Sequence, residues 1–245
     1  MSTLGTMPRR AAQHRYYLTA WVVIAGLTLW GFGPSFFLPG LVQSSDLAPL
    51  LRLHGLVMTA WLFVFLLQTR LVASDRVRWH RRVGVAGAIV GFAVLAVGLA
   101  TTLRAARFRE GPPGVPTDVF VLASLAALAT FALFFLAALA LRRRPDWHQR
   151  LMLLATLMLL GAGVSRLPYE HFPWPDFWRS GGPFGLFTID MLVIYACAGW
   201  DTARSRRLHP AYGWGVAALL LLNNALVVLV AELPAWRGLV QALAS

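Results

Sequence analysis

Four of the six histidines lie where an imidazole could bind a metal ion or a haem. Three of them, His80, His148 and His209, lie in short arginine-rich turns that border apolar segments, and His54 lies inside such a segment. Histidine nitrogens ligate haem iron and copper. Two of the turn histidines could therefore hold a b-type haem whose propionates the neighbouring arginines neutralise. In the alternative interpretation, these histidines only contact lipid headgroups beside tryptophan and arginine.

His54 is followed one helical turn later by Met58. Side chains four residues apart project from the same side of a helix, so the imidazole and the thioether could both approach a soft metal ion such as Cu(I). His54 alone could instead be an axial haem ligand. A third alternative is that His54 joins Asp190 and Arg166 in a polar network that only fixes helix packing.

The composition indicates a protein embedded in a membrane. Of its 245 residues, 58% are hydrophobic and 13% are charged, and the mean hydropathy is +0.63. All 22 basic residues are arginine, which together with abundant alanine and leucine suggests a GC-rich bacterial genome. The formal net charge of +12 is concentrated in turns between apolar segments, where anionic lipid headgroups are the nearest counterions. We therefore expect the lipid bilayer as a partner and no nucleic acid.

Seven apolar segments predict an all-α, polytopic fold with seven transmembrane helices. They cover residues 16–38, 51–73, 83–103, 118–141, 150–167, 183–200 and 211–231. Each segment is long enough to cross a hydrocarbon core about 30 Å thick. Residues 1–15 form a basic tail, residues 16–231 a single helical bundle, and residues 232–245 a second short tail.

The arginines predict the orientation of the chain. Counted by alternating sides of the seven segments, 15 arginines lie on the side of the N-terminus and 7 on the other side. The positive-inside rule then places the N-terminus in the cytoplasm and the C-terminus outside, in a bacterial inner membrane. The three turn histidines lie at the cytoplasmic end, whereas His54, Asp190 and Arg166 lie toward the outer face.

A polar group inside an apolar segment should face the interior of the bundle, because its exposure to lipid is costly. In the second segment, a single helical stripe carries His54, Met58, Trp61, Phe65 and Gln68. Asn223 and Asn224 lie deep in the seventh segment. Similar stripes predict a core of segments two, five, six and seven, on which segment three packs through its glycines.

Several signatures of enzymes are missing from the sequence. It contains no Walker loop, no G-x-S-x-G, no H-E-x-x-H, no Rossmann fingerprint and no C-x-x-C. The single cysteine, Cys197, excludes an internal disulfide and a site built from several cysteines of one chain. Nucleotide-driven transport and hydrolase chemistry are therefore not indicated.

Four blocks of sequence carry a family resemblance: HGLVMTAW (54–61), VRWHRRVG (77–84), DWHQRLMLLA (146–155) and LHP (208–210). In these blocks the chain resembles a family of uncharacterised bacterial multi-pass membrane proteins that is described as a domain of unknown function. It is more loosely similar to membrane b-type cytochromes and to small histidine-bearing assembly factors of haem-copper oxidases. The resemblance implies the membrane topology and brings no established reaction.

The sequence thus predicts a bacterial inner-membrane protein with an internal histidine site that binds haem b or copper. Its role would be in electron transfer or in oxidase cofactor assembly, with a respiratory-chain or quinone partner. A second prediction is a proton-coupled or small-solute transporter that uses His54, Asp190 and Arg166. A third is a structural or lipid-interacting membrane protein. No enzymatic reaction is assigned.

Overall fold

The computed structural model describes residues 7–38, 47–111, 115–164, 166 and 188–244, and for residues 7–13, 34–35 and 188–190 it describes the backbone only. Throughout this part of the chain, every regular element is helical and none is a strand. The prediction of an all-α fold is therefore confirmed for the described residues.

The helices follow one another with short connections, and several begin at a proline. They are α1 (Met7–Phe32), α2 (Pro49–Ala73), α3 (Val77–Phe108), α4 (Thr117–Ala140), α5 (Pro145–Leu157), α6 (Leu160–Val164), α7 (Thr188–Ser205), α8 (Pro210–Ala218), α9 (Leu226–Ala231) and α10 (Pro234–Ala244). Two further segments are π-helical. Gly33–Phe37 extends α1, and Leu219–Ala225 joins α8 to α9. Three helices, α2, α5 and α8, begin at Pro49, Pro145 and Pro210. Proline lacks a backbone N–H, and this is tolerated in the first turn because an N–H there has no acceptor within the helix.

Within the described residues, four helices are long and apolar enough to cross a membrane. They are α2, α3, α4 and the continuous helical stretch Pro210–Ala231. The prediction of a helical membrane protein is confirmed at this level. The other three predicted segments contain α1, the α5–α6 pair and α7, but length and composition do not by themselves mark these helices as spans.

α5 lies in the core of the bundle, where it packs against α4, α7 and α8. Leu154 and Leu157 on this helix are fully buried. On α2, the inward stripe is buried at Trp61 and Phe65, and the indole of Trp61 donates a hydrogen bond to the hydroxyl of Thr156 at 3.2 Å. The predicted stripe of α2 therefore faces the interior of the bundle, where Trp61 reaches α5.

α4 is more enclosed than its sequence indicates. Phe131 and Phe135 are buried, and their rings contact the ring of Trp61 with centres 5.2 and 5.6 Å apart. The core thus includes α4, which the polar stripes did not identify. An apolar helix that faces lipid and one that faces a core have similar compositions, so the segment lacked a distinguishing signal.

The glycines of α3 pack this helix against its neighbours, as the sequence predicts. Gly87 and Gly98 are buried. A Cβ atom on Gly87 would lie 2.9 Å from Val64 of α2, and one on Gly98 would lie 2.6 Å from Leu128 of α4. The small residues therefore give room to side chains of two helices.

The fifth predicted segment is not one continuous helix. α5 ends at Leu157 and α6 begins at Leu160. α6 lies so close to α1 that a Cβ atom on Gly31 would overlap the carbonyl oxygen of Gly163. The break brings two backbones into contact at a position that only glycine permits.

Candidate functional site

A cavity of about 480 Å³ lies at the end of the bundle opposite the arginine-rich turns. It is enclosed by parts of α1 to α6. Aromatic side chains form much of its wall, namely Phe32, Phe36, Phe37, Trp61 and Phe120. His54, Glu110 and Arg166 add polar groups to this wall. A mostly apolar cavity of this size with a few polar groups is typical of small-molecule and cofactor sites.

His54 has one hydrogen-bond partner among the described residues, the hydroxyl group of Thr101. Nδ1 of His54 lies 3.3 Å from this hydroxyl oxygen, which also lies 3.0 and 2.9 Å from the carbonyl oxygens of Val97 and Gly98. Thr101 has a single hydroxyl proton for these three acceptors, so both tautomers of the neutral imidazole are compatible with the contact. No atom of the described residues forms a hydrogen bond with Nε2 of His54.

Met58 and Arg166 line the same cavity as His54. Met58 lies one turn further along α2, so its thioether is on the same side of the helix as the imidazole. The guanidinium of Arg166 lies over the ring of Phe32, 4.7 Å from its centre, and donates to the carbonyl oxygen of Ala162 at 2.8 Å. These residues of the predicted outer site therefore share one cavity.

The acidic residue of the predicted outer site is Asp190. Asp190 belongs to α7, but its side chain lies outside the described residues. The carboxylate that does line the cavity is Glu110, whose oxygen lies 2.7 Å from the guanidinium of Arg104. Glu110 lies just after the end of α3, in a loop outside the predicted apolar segments. It was therefore not among the predicted site residues.

At the arginine-rich end, the structure brings two of the three turn histidines together. The ring centres of His80 and His148, at the starts of α3 and α5, are 6.3 Å apart. Nδ1 of His148 donates to the carbonyl oxygen of Ala138 at 2.8 Å. The side-chain N–H of Gln68 donates to Nδ1 of His80, and the side-chain oxygen of Gln68 accepts from the backbone N–H of Gly84. Nδ1 is therefore a donor in His148 and an acceptor in His80, so neutral His80 carries its ring proton on Nε2.

His209 has a different role. Its Nδ1 accepts from the backbone N–H of Ala211 at 3.2 Å, which caps the N-terminus of α8. Its Nε2 lies 3.6 Å from the carboxylate of Asp146, and its ring packs on Trp147 with centres 4.9 Å apart. Burial, followed by the charge of Arg150, lowers the pKa of His209. Both of its nitrogens therefore have protein partners.

The sequence predicts that two of the three turn histidines could hold a haem, and the structure places His80 beside His148. In the part of the chain that the structure describes, no three His, Cys, Asp or Glu side chains come close enough to hold one metal ion. What remains is a pair, His80 and His148, with His209 occupied as a helix cap. The separation has a simple cause, because Pro210 fixes the start of α8 and a helix start requires a capping acceptor.

A buried ion pair near the arginine-rich end was not predicted from the sequence. Arg150 of α5 donates from Nε and Nη2 to the carboxylate of Asp201 on α7, at 2.7 and 3.1 Å. Arg204 adds a third hydrogen bond to this carboxylate at 3.2 Å. The signal was present, because Arg150 and Asp201 are opposite charges that border apolar segments at the same end of the bundle.

Two tyrosines connect the same region. The hydroxyl groups of Tyr16 on α1 and Tyr212 on α8 are 2.5 Å apart, and Tyr16 also donates to the carbonyl oxygen of Cys197 on α7 at 3.3 Å. This chain of hydrogen bonds joins α1, α7 and α8.

Asn223 and Asn224 are buried in the π-helical segment between α8 and α9. The amide of Asn223 contacts the hydroxyl of Thr130 on α4 at 2.6 Å. Asn224 donates to the carbonyl oxygen of Leu219 at 2.9 Å. Neither side chain lines the cavity at His54. Their described contacts join the seventh predicted segment to α4 and satisfy part of the π-helical backbone.

The geometry thus separates two candidate sites at opposite ends of the bundle. One is the cavity that His54 lines, and the other is the pair of His80 and His148. No protein-family model matches this chain, and no curated protein or solved structure is similar to it.

Proposed function

We propose that this chain is a bacterial inner-membrane protein that binds one haem b in the cavity, with His54 as the axial ligand. The observation that carries the proposal is the position of His54 in the wall of a cavity of about 480 Å³, with Nδ1 beside Thr101 and no hydrogen bond to Nε2 from the described residues. Electron transfer or haem delivery in oxidase assembly would be its role. The proposal takes all seven apolar segments as spans and the N-terminus as cytoplasmic, on the basis of the arginine distribution.

The groups around His54 suit a haem. An iron-bound histidine normally donates its other ring proton to a protein acceptor, and the hydroxyl oxygen of Thr101 would be that acceptor for Nδ1 of His54. The aromatic wall would contact the two faces of the macrocycle. Arg166 lies at the same cavity and could pair with a propionate.

Met58 lies on the same side of α2 as His54 and lines the same cavity. In the haem proposal, His54 would hold the iron and Met58 would be part of the apolar wall. His54 and Met58 together could bind Cu(I), but the cavity is far larger than a single ion requires. Its size favours the haem.

The test is the visible spectrum of the purified protein after expression with added haem precursor. We expect a Soret band, one haem per chain, and loss of both in His54→Ala. The control is His209→Asn, which should keep the Soret band because asparagine also caps a helix. A colourless wild-type protein would overturn the proposal, as would a Soret band that survives in His54→Ala and disappears in His148→Ala.

A second comparison tests the hydrogen bond behind His54. Thr101→Val removes the hydroxyl group that contacts Nδ1 of His54 and should weaken haem binding about 10–100-fold. Thr59→Val is the matched control, because Thr59 also lines the cavity and donates to a backbone carbonyl oxygen on its own helix. Equal haem affinity in the two variants would show that the hydroxyl group of Thr101 does not support haem binding by His54.

A further inference from the structure

We propose that α10 is an interfacial helix whose partner is the lipid surface. It lies along the membrane at the end of the bundle where α3 ends and α4 begins, with one apolar edge among the acyl chains. The proposal does not depend on the haem, because no residue of α10 lines the cavity at His54.

α10 is too short to cross a membrane. Its 11 residues extend about 16 Å, whereas the hydrocarbon core is about 30 Å thick. Only Glu232 and Leu233 separate it from Pro210–Ala231, which is long and apolar enough to be a span. A helix in this position lies either in the membrane interface or in the water beyond it, and its side chains distinguish the two.

The side chains of α10 form three edges along the helix, because residues four apart lie one above the other. A rotation of about 100° per residue puts one edge in the middle and the other two on either side of it. In order around the helix, the edges are Leu239 with Leu243, Trp236 with Val240, and Arg237 with Gln241.

The middle edge fixes α10 against α3 and α4. Val240 is only 6% exposed and belongs to an apolar cluster with Ala105 of α3 and Val121 of α4. The indole N–H of Trp236 donates to the carbonyl oxygen of Asp118 at 3.1 Å. α10 is therefore held against the sides of two spans.

The contacts of Val240 give the depth of α10 relative to the membrane. Ala105 lies just beyond the apolar segment 83–103, and Val121 lies just inside the apolar segment 118–141. Val240 is thus at the level where two apolar segments end, which is the boundary between headgroups and acyl chains. Interfacial helices lie at this boundary, with their apolar face about 5–10 Å into it.

The polar edge faces the ends of the spans. The guanidinium of Arg237 lies 2.7 Å from the carboxylate of Glu232 and 3.5 Å from that of Asp118. Asp118 is the second residue of α4, and Glu232 directly follows α9. Gln241, on the same edge as Arg237, is exposed. This edge therefore lies among polar groups at the surface of the membrane.

The leucine edge is on the other side of the middle edge and is exposed, by 53% at Leu239 and 42% at Leu243. α3 also exposes apolar side chains near this level, at Leu103 and Phe108. Because acyl chains surround the apolar surface of a span, they also cover the leucine edge beside it. A second protein does not fit as well, since a stable interface needs about 800 Å² per partner and this edge has two large side chains.

The experiment measures the surroundings of the two outer edges in a bilayer. A nitroxide label is attached to Leu239→Cys or Gln241→Cys, each in a Cys197→Ala background that has no other cysteine. The protein is placed in vesicles of phosphatidylcholine and phosphatidylglycerol. Collisions with oxygen, which concentrates among acyl chains, are compared with collisions with a water-soluble nickel complex. We expect oxygen to dominate at position 239 and nickel at position 241.

Two outcomes would overturn the interfacial helix. Dominant nickel collisions at both positions would place α10 in water. Low collision rates with both reagents at position 239, together with dipolar broadening between labels, would show that a second copy of the chain covers the leucine edge. Neither result depends on haem, so failure here is distinguishable from failure of the haem proposal.

A measurement on the wild-type chain covers the case in which a labelled variant does not fold. A phospholipid with a photoactivated diazirine in its acyl chain, close to the headgroup, labels side chains at the boundary. Trypsin cleaves after Arg237, the last basic residue, and releases residues 238–245 as one peptide. Fragmentation of this peptide should locate the label on Leu239 and Leu243 and leave Gln241 unlabelled. An unlabelled peptide, with α3 labelled in the same sample, would contradict the proposal.

Discussion

Arg150 of α5 and Asp201 of α7 form an ion pair with two hydrogen bonds, in which the Asp201 carboxylate is only 1% exposed. A buried pair of this kind gains little over an apolar pair, because both charges lose their hydration. Removal of one partner is different, since it leaves the other charge buried and unpaired. The pair therefore fixes how α5 and α7 meet.

We expect Asp201→Ala to destabilise the protein by about 3–5 kcal/mol, because Arg150 would lose its buried counterion. The double variant Arg150→Met with Asp201→Leu should recover most of this loss, since it removes both charges together. Thermal denaturation in detergent measures the effect. A single variant as stable as the wild type would show that the pair does not form.

We expect stability to depend on pH through His209. Burial first, and then the guanidinium of Arg150, lowers the pKa of this imidazole, although Asp146 and Asp201 act in the opposite direction. The unfolded chain takes up a proton near the ordinary value of about 6.5, whereas the folded chain does so only at lower pH. Stability contributed by the neutral form is therefore present above about pH 6.5 and is lost as the pH falls below it.

The measurement is the melting temperature of wild type and His209→Asn at about pH 7.5 and about pH 5.5. The wild type should lose more stability on acidification than His209→Asn, in which the cap remains and the titrating group is absent. Identical pH dependence in the two proteins would mean that His209 titrates alike in the folded and unfolded states.

We expect Gly31→Ala to destabilise the bundle by about 1–3 kcal/mol, because its Cβ atom would overlap the carbonyl oxygen of Gly163. Gly26→Ala on the same helix is the matched control, since a Cβ atom there has no neighbour within 4 Å. Alanine at position 26 should be neutral or stabilise α1 by up to about 1 kcal/mol. If both variants melt at the same temperature, α1 and α6 do not pack as described.

Much of the helical framework follows from local patterns. The spacing of Trp61 and Phe65 on α2 predicted the inward face that the structure buries. The arginine-rich turns marked helix ends, and two of their histidines, His80 and His148, lie close together. Such features depend on residues within one helix or on the turns that border it.

The remaining features depend on contacts between residues far apart in the sequence. The spacing of residues within one helix does not predict such contacts. The ion pair of Arg150 and Asp201, the approach of Gly31 to Gly163, and the breaks around α6 are of this kind. The burial of α4 belongs here too, because an apolar face suits lipid and protein equally well. For the same reason, the sequence identified His54 as a polar group in an apolar segment but not the cavity that it lines.

The most direct test of a haem held by His54 is chemical rescue. His54→Gly should lose the Soret band, and free imidazole added to this variant with haem should restore it, because the small ligand replaces the missing side chain. A wild-type protein without haem, or a His54→Gly variant with an unchanged Soret band in the absence of imidazole, would contradict the role of His54.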